Sequence, residues 1–179
     1  LSNMNKTLAL IIVVILVALG VWYYRSNRPT IPGLYPTPTS TSTPPIIKTY
    51  TDPQGVFSFQ YPDDFSISGR EGPVLAKVKV DRSYMPNTNF SEAELTVNWI
   101  GPGTDASCQG TTTSTDAAAG NRYETTIVKK LYDGDCYAFT SLVHYTNIQN
   151  YDPNQGITEF NQSKLKSDLE GVIQTFKCL

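Results

Sequence analysis

Apolar and polar residues alternate in several short runs between Phe57 and Trp99, which is the pattern of β-strands with one buried face. The runs are separated by proline, glycine or charged residues, so each run predicts a separate strand. The predicted strands contain Phe57, Phe59 and Tyr61; Phe65 and Ile67; Val74–Val80; and Ala93, Leu95, Val97 and Trp99, whose opposite face carries Glu94, Thr96 and Asn98.

The clearest local element is a β-hairpin around Asp133-Gly134. Arg122–Tyr132 and Asp135–Tyr145 flank this dipeptide, which favours a type I′ turn because both central residues need a positive φ. A two-residue turn also fixes which residues of the two strands lie opposite each other. The expected pairs are Tyr123 with His144, Ile127 with Thr140, Val128 with Phe139, and Leu131 with Cys136.

The period of the apolar residues changes from that of a strand to that of a helix after about Asn161. Leu165, Leu169, Val172, Ile173 and Phe176 fall on one helical face, which predicts a helix from about Asn161 to Lys177, capped by Asn161 or Ser163. A helix that follows many strands is expected to cover one face of their sheet. The sequence therefore predicts an α+β fold, an antiparallel sheet covered by a C-terminal helix.

The run Leu8–Tyr24 contains seventeen residues and no charge, and it predicts a transmembrane helix after a short cytoplasmic tail at residues 1–7. Such a helix is roughly 25 Å long, at the short end of what crosses a bilayer. Trp22, Tyr23 and Tyr24 would lie at the headgroup level. A cleaved signal peptide is the main alternative, because Ala18 and Gly20 have the spacing of a cleavage site.

Residues 25–48 predict an extended stalk, because six of the seventeen residues from Pro29 to Pro45 are proline and seven are threonine or serine. The positive charges flanking the predicted span do not decide its orientation. The stalk and the cysteines favour an oxidising space for residues 49–179. We therefore expect a single-pass protein of the cell membrane, held in the lipid bilayer by its N-terminal helix, with an extracytoplasmic domain.

Charge and composition exclude several classes of function. The segment after the stalk carries all 16 acidic residues of the chain and ten of its 14 Lys and Arg residues, so its net charge of about −6 argues against nucleic acid as a partner. The chain has one histidine, His144, and three cysteines. A zinc site would need all four to converge, and we expect neither a metal nor another cofactor.

The cysteines predict one disulfide and one unpaired thiol. Cys108 lies in a stretch rich in Gly, Thr and Ser that we expect to be a loop, and Cys136 begins the second strand of the hairpin. A Cys108–Cys136 bridge would attach that loop to the sheet. Cys178 follows the predicted helix and is left over.

His144 and the segment Asp152–Gly156 can each be interpreted as a functional site or as a structural element. His144 with Ser141 or Cys136 would be the base and nucleophile of a hydrolase, but no nucleophile motif accompanies them, which favours a structural histidine. Asp152-Pro153-Asn154-Gln155-Gly156 lacks the ligand spacing of an EF-hand and is typical of a turn.

Several segments resemble bacterial membrane-anchored extracytoplasmic domains of the PsbP-like type. YTDPQGVFSFQYPDDFSI at Tyr50–Ile67 is similar to the opening hairpin of that family, and LEGVIQTFK at Leu169–Lys177 is similar to its final helix. The resemblance implies a PsbP-like sandwich and a non-enzymatic accessory or assembly role.

These observations favour a non-enzymatic, membrane-anchored binding or envelope-assembly module, with an envelope protein as its partner. The alternative is an extracytoplasmic hydrolase with an unrecognised site. Tyrosine is common at recognition surfaces because it combines a large ring with a polar tip. The candidate recognition surface contains Tyr123, Tyr137, Tyr145 and Tyr151.

Overall fold

The computed structural model describes residues 46–179 and, before them, Leu19. No helix within this described part is long and apolar enough to cross a membrane. The predicted span at residues 8–24 falls outside the described residues except for Leu19, as does the predicted stalk except for its last three residues. The first strand begins at Ile47, two residues before the predicted domain boundary.

The strands are β1 (Ile47–Thr51), β2 (Phe57–Pro62), β3 (Ser66–Ser68), β4 (Val74–Asp81), β5 (Phe90–Pro102), β6 (Gly110–Ala118), β7 (Asn121–Tyr132), β8 (Asp135–Thr146) and β9 (Lys177–Cys178). The α-helices are α1 (Asp105–Cys108) and α2 (Gln162–Thr175), and the 3-10 turns are Arg82–Tyr84, Ile148–Asn150 and Pro153–Gln155.

The strands form two antiparallel sheets. The larger sheet has six strands in the order β3-β4-β5-β8-β7-β6, and the smaller has three in the order β1-β2-β9. Helix α2 packs on one face of the larger sheet, which we call the inner face, and the opposite face is called the outer face. The predicted antiparallel sheet with a C-terminal helix is therefore confirmed.

The β7–β8 hairpin forms as predicted. Asp133 and Gly134 have φ values of 51° and 85°, and the two strands pair in the expected register from Tyr132–Asp135 onward. Tyr123 lies opposite His144, and Leu131 lies opposite Cys136. The hairpin is central as expected, because β8 pairs with β5 and β7 pairs with β6. A type I′ turn suits this position because its twist matches that of the flanking strands.

One buried aromatic cluster joins the two sheets to the end of α2. Phe176 is 3% exposed, and its ring centroid lies 5.2 Å from that of Phe57 in β2 and 5.1 Å from that of Phe139 in β8. Tyr132 and Tyr137 pack against the same ring at 4.9 and 5.1 Å. The alternating apolar residues of β4 and β5 continue this core along the inner face.

Helix α2 begins and ends close to the predicted positions. The side chain of Asn161 accepts a hydrogen bond from the Lys164 amide at 2.9 Å, as expected of an N-cap. Leu165, Leu169, Val172 and Ile173 are buried against the sheet. The helix ends at Thr175, and the next residues turn into the short strand β9, which pairs with β2.

Strand β6 differs from the sequence-based expectation. We expected a loop around Cys108, but Asp105–Cys108 form a short helix, and the nine residues Gly110–Ala118 form a full strand beside β7. No apolar residue of β6 alternates toward the core, so periodicity gave no signal. Threonine nevertheless favours strands because it is β-branched, and four of the nine residues are threonine.

A hydrogen-bonded cluster beside α2 predicts sensitivity to alkali. The Tyr84 hydroxyl donates to the Asp168 carboxylate and accepts from the Lys164 ammonium. Burial, followed by the bond to Asp168, raises the pKa of Tyr84 to about 12 from its usual 10.0. The folded protein therefore keeps a proton that the unfolded chain releases, so its free energy of unfolding should fall as pH rises from about 10 to about 12.

Denaturant titrations at several alkaline pH values check this expectation. In Tyr84→Phe the ring still packs against Phe65, whose centroid is 5.2 Å away, but the titrating hydroxyl is gone. The loss of stability with pH should be smaller in this variant, although burial also raises the pKa values of Tyr50, Tyr132 and Tyr137. Equal pH dependence in both proteins would show that Tyr84 does not contribute.

Candidate binding groove

A groove of about 360 Å³ lies between α2 and the inner face of β6, β7 and β8. Its volume is within the range of ligand pockets. Val128 and Val143 provide an apolar floor, and Leu165, Leu169 and Ile173 of α2 provide an apolar wall. The polar lining consists of Thr111, Glu124, Thr126, Ser141, Gln162, Ser163, Lys166 and Glu170.

The groove exists because α2 covers only part of the sheet. The buried residues of α2 pack toward the core of β4, β5 and β8, whereas all nine residues of β6 are exposed. The uncovered strip lies over β7 between Glu124, which accepts from Gln162, and Tyr132, which donates to the Ile173 carbonyl. This part of β7 spans roughly 25 Å at about 3.3 Å per residue.

The two ends of the groove differ. At one end the Gln162 side-chain amide donates to the Glu124 carboxylate at 3.3 Å, which joins the start of α2 to β7. At the other end a second depression of about 500 Å³ shares Thr111 and Val128 with the groove. Its remaining lining residues are Asp105, Gln109, Gly110, Lys129, Lys130, Leu131 and Tyr132.

The groove offers non-covalent contacts of two kinds. Hydroxyl groups of Thr111, Thr126 and Ser141 can donate and accept hydrogen bonds beside an apolar floor. Both charge signs line the walls, which carry Lys166, Glu124 and Glu170. Alternating apolar and hydrogen-bonding positions suit a ligand that has both kinds of group at regular intervals.

The four predicted recognition tyrosines do not form one surface. Alternation along β8 directs Tyr137 and Tyr145 to the inner face, whereas Tyr123 of β7 pairs with His144 on the outer face. Tyr137 is 3% exposed, so its assignment to a surface is corrected: it belongs to the core. Tyr145 packs on Phe160 at 5.1 Å, and Tyr151 follows the Ile148–Asn150 turn.

His144 has structural partners on the outer face. Its ring stacks on that of Tyr123 with 4.6 Å between centroids, and its Nε2 lies 3.0 Å from Oδ1 of Asn121. Its Nδ1 lies 3.8 Å from a carboxylate oxygen of Glu92. These contacts are those of a histidine held in place by its neighbours, as the sequence favoured.

The candidate nucleophiles of the hydrolase alternative are not close to His144. Ser141 is three residues away along β8 and therefore lies on the inner face, where its hydroxyl donates to the carbonyl of Thr126 at 3.4 Å. Cys136 is oxidised in a disulfide and has no thiol to react. The arrangement gives His144 neither of the two partners considered from the sequence.

The predicted Cys108–Cys136 disulfide is confirmed, with 5.4 Å between the two Cα atoms. It attaches α1 to the hairpin, and Cys108 is 1% exposed. Cys178 is not oxidised, as predicted, but it lies in β9 and not in a frayed end. Its thiol lies 3.7 Å from the Tyr137 hydroxyl, and burial together with this contact raises the pKa of Tyr137.

No three Cys, His, Asp or Glu side chains converge on a metal site within residues 46–179. The Asp152 segment forms the expected turn: its carboxylate accepts hydrogen bonds from the amide and the side chain of Asn154 at 2.8 and 2.9 Å. Gly156 ends the turn with a φ of 67°.

Comparison with known proteins finds similarity in structure alone. No family model matches the chain, and no curated protein matches it. The solution structure of cyanobacterial PsbP (CyanoP) from Synechocystis sp. PCC 6803 is similar over 78% of this chain and 96% of that protein, with 12% sequence identity and a TM-score of 0.36. The PsbP-like resemblance predicted from the sequence thus recurs in the structure.

Sequence reasoning missed the groove itself. Its floor depends on β6, which was expected to be a loop, and its wall depends on how far α2 reaches across the sheet. One signal was present in the sequence: Gln162, Lys166 and Glu170 are spaced four residues apart beside the apolar stripe of α2. Such a row predicts a polar helix flank, but it does not show which strands that flank faces.

Proposed function

We propose that this protein is a non-enzymatic binding module of the cell envelope, held in the membrane by residues 8–24 and displayed on the stalk at residues 25–48. The groove beside α2 is its binding site, and an extended segment of an envelope protein is its ligand. The proposal rests on one observation, the groove that α2 leaves open over β7 between its contact with Glu124 and its contact with Tyr132.

An extended polypeptide fits this strip better than a compact small molecule. The strip is long and open along β6, so it encloses no small ligand on all sides. A chain in extended conformation presents side chains at regular intervals to the apolar floor formed by Val128 and Val143. Its amide groups would find hydrogen-bond partners in Thr111, Thr126 and Ser141.

The sequence supports a ligand located in the cell envelope. A hydrophobic span, a proline-rich stalk and a disulfide support an extracytoplasmic domain near a membrane surface. The net negative charge of the segment from Thr49 onward supports a partner other than nucleic acid.

Site-specific photo-crosslinking in intact cells tests the proposed site. A photoreactive phenylalanine derivative replaces Lys166, which lines the groove, or Ser167, which is exposed on the same helix but does not line it. We expect a discrete protein adduct from position 166 that is at least about tenfold stronger than any adduct from position 167. Peptide mapping should place the crosslink in an extended segment of the partner.

Equal adducts from both positions, or none from position 166 with the full chain in its membrane, would contradict the proposed site. A control for expression and folding comes from the disulfide, since a correctly folded variant keeps Cys108 and Cys136 unreactive to alkylating reagents.

A further inference from the structure

The free edge of β6 lacks the features that normally prevent strand pairing. Its inner neighbour β7 pairs with it without a register shift along all nine residues, and no other strand among residues 46–179 pairs with it. The strand reads GTTTSTDAA, with one charge and neither proline nor lysine. Exposed edges are usually protected by lysine, proline, a bulge or a covering segment.

From this unprotected edge we propose that two copies of the protein pair through β6 in antiparallel orientation about a two-fold axis at Ser114. Pairing at this position uses all nine residues of each strand. It places Asp116 of each copy opposite Thr112 of the other, so no like charges meet. The hydroxyl groups of Thr113 and Thr126, which are 3.2 Å apart, already show the contact that threonines make across neighbouring strands of this sheet.

The antiparallel orientation determines on which side the two helices lie. Residues directly opposite each other in an antiparallel pair point to the same face. If Ser114 lies opposite Ser114 of the second copy, both inner faces lie on one side of a continuous twelve-stranded sheet. Parallel pairing through the same edge would instead turn the second copy over and place its helix on the opposite side.

In the proposed register the two grooves become one cleft. The two α2 helices form its opposite walls, and the inner-face threonines of both β6 strands form the centre of its floor. Thr111, Thr113 and Thr115 point to that side, because they pair with Val128, Thr126 and Glu124 of β7. This inference rests on the proposed function only in assigning the joined cleft to ligand binding; the pairing itself rests on β6.

Attachment of both copies to one membrane favours the pairing. A contact through a single strand from each copy is small, and contacts of this size are weak between proteins free in solution. Anchoring two copies in the same bilayer raises their effective concentration without any new contact. The test therefore uses the full chain in its membrane.

Disulfide crosslinking tests the register. In a Cys178→Ser background, Ser114→Cys should give a covalent dimer on mild oxidation. Thr112→Cys and Asp116→Cys should give one when co-expressed but not when expressed singly. An intramolecular control is Thr112→Cys with Ile127→Cys, because these residues lie opposite each other within one chain and report whether oxidation worked.

Two lysine substitutions in β6 test the proposed charge pairing, because one should lower the dimer fraction and the other should raise it. Energy transfer is measured between donor-labelled and acceptor-labelled copies of the full chain in lipid vesicles. Ser114→Lys places two lysines opposite each other and should lower the dimer fraction at least about threefold. Thr112→Lys places each lysine opposite Asp116 and should raise it. The same change in net charge thus gives opposite effects.

Three results would overturn the inference. The first is a working intramolecular control without a Ser114→Cys dimer. The second is a dimer from Thr113→Cys or Thr115→Cys alone in place of the Ser114→Cys dimer, which would place the two-fold axis at a different residue. The third is a Ser114→Cys adduct with another protein. Failure here is distinguishable from failure of the proposed function. A position-166 photo-adduct without the dimer contradicts the pairing alone, and the dimer without the photo-adduct contradicts the binding site alone.

Discussion

Replacing Phe176 with alanine should lower the free energy of unfolding by about 3–5 kcal/mol, the range for removing a large aromatic side chain from a core. The ring is 3% exposed and packs on four other aromatic rings, those of Phe57, Tyr132, Tyr137 and Phe139. These rings come from both sheets, so a cavity at this point weakens the contact between them. Chemical denaturation monitored by near-UV circular dichroism measures the change.

The control for this substitution is Leu142→Ala on the outer face. Leu142 is 41% exposed, so its truncation leaves no closed cavity and should cost less than about 1 kcal/mol. If the two substitutions had equal effects, Phe176 would not be the junction of the two sheets.

Removing the disulfide by Cys108→Ala with Cys136→Ala should cost about 3–4 kcal/mol. The bridge closes a loop with a sequence separation of 28, and the chain-entropy model assigns this stabilisation to constraint of the unfolded chain. The residues between the two cysteines include all of β6 and β7. Helix α1, which ends at Cys108, has little apolar surface of its own to hold it against the hairpin. Denaturant midpoints of the parent protein with and without reductant measure the stabilisation by the disulfide independently of the double substitution.

Cys178→Ala is the matched control, because it removes a half-buried thiol that closes no loop. Its unfolding should remain sensitive to reductant, whereas unfolding of the double variant should not. A double variant as stable as the parent would show that packing of α1, and not the bridge, holds this segment in place.

Local chemistry explains why the hairpin and α2 were predictable from the sequence. Asp133-Gly134 determines a turn whose backbone both residues can adopt, and the register of two twelve-residue strands follows from that turn. The stripe from Leu165 to Ile173 and the cap at Asn161 determine α2 in the same way. In these elements the residues that specify the structure are neighbours in sequence.

Strand β6 shows where prediction from the sequence stops. It has neither an apolar face nor a turn that sets its register, and it forms because β7 offers it an edge. The prediction that the four tyrosines form one recognition surface is wrong for a related reason. The hairpin register implied that Tyr137 shares a face with Val143, but which face α2 would cover depends on contacts between residues far apart in the chain.

The groove was not predictable because it depends both on β6 and on the position of α2 over the sheet. Its floor includes Thr111 of β6, a strand that the sequence did not predict. Its wall is α2, which the sequence predicted as a helix without indicating its position on the sheet. Three-dimensional packing was needed to show that the polar flank of α2 faces Thr126 across an open strip. The residues of the site were therefore visible in the sequence as strand and helix residues, but not as one surface.

The most direct test of the binding groove fills it while leaving the fold unchanged. Thr126 and Thr125 are adjacent in β7, but Thr126 lines the groove and Thr125 pairs with Leu142 on the outer face. Each is replaced by tryptophan in the full chain carrying the photoreactive residue at position 166, and the yield of the protein adduct is measured in intact cells. We predict that Thr126→Trp abolishes the adduct and Thr125→Trp keeps it, whereas an adduct that survives in both would contradict binding in the groove.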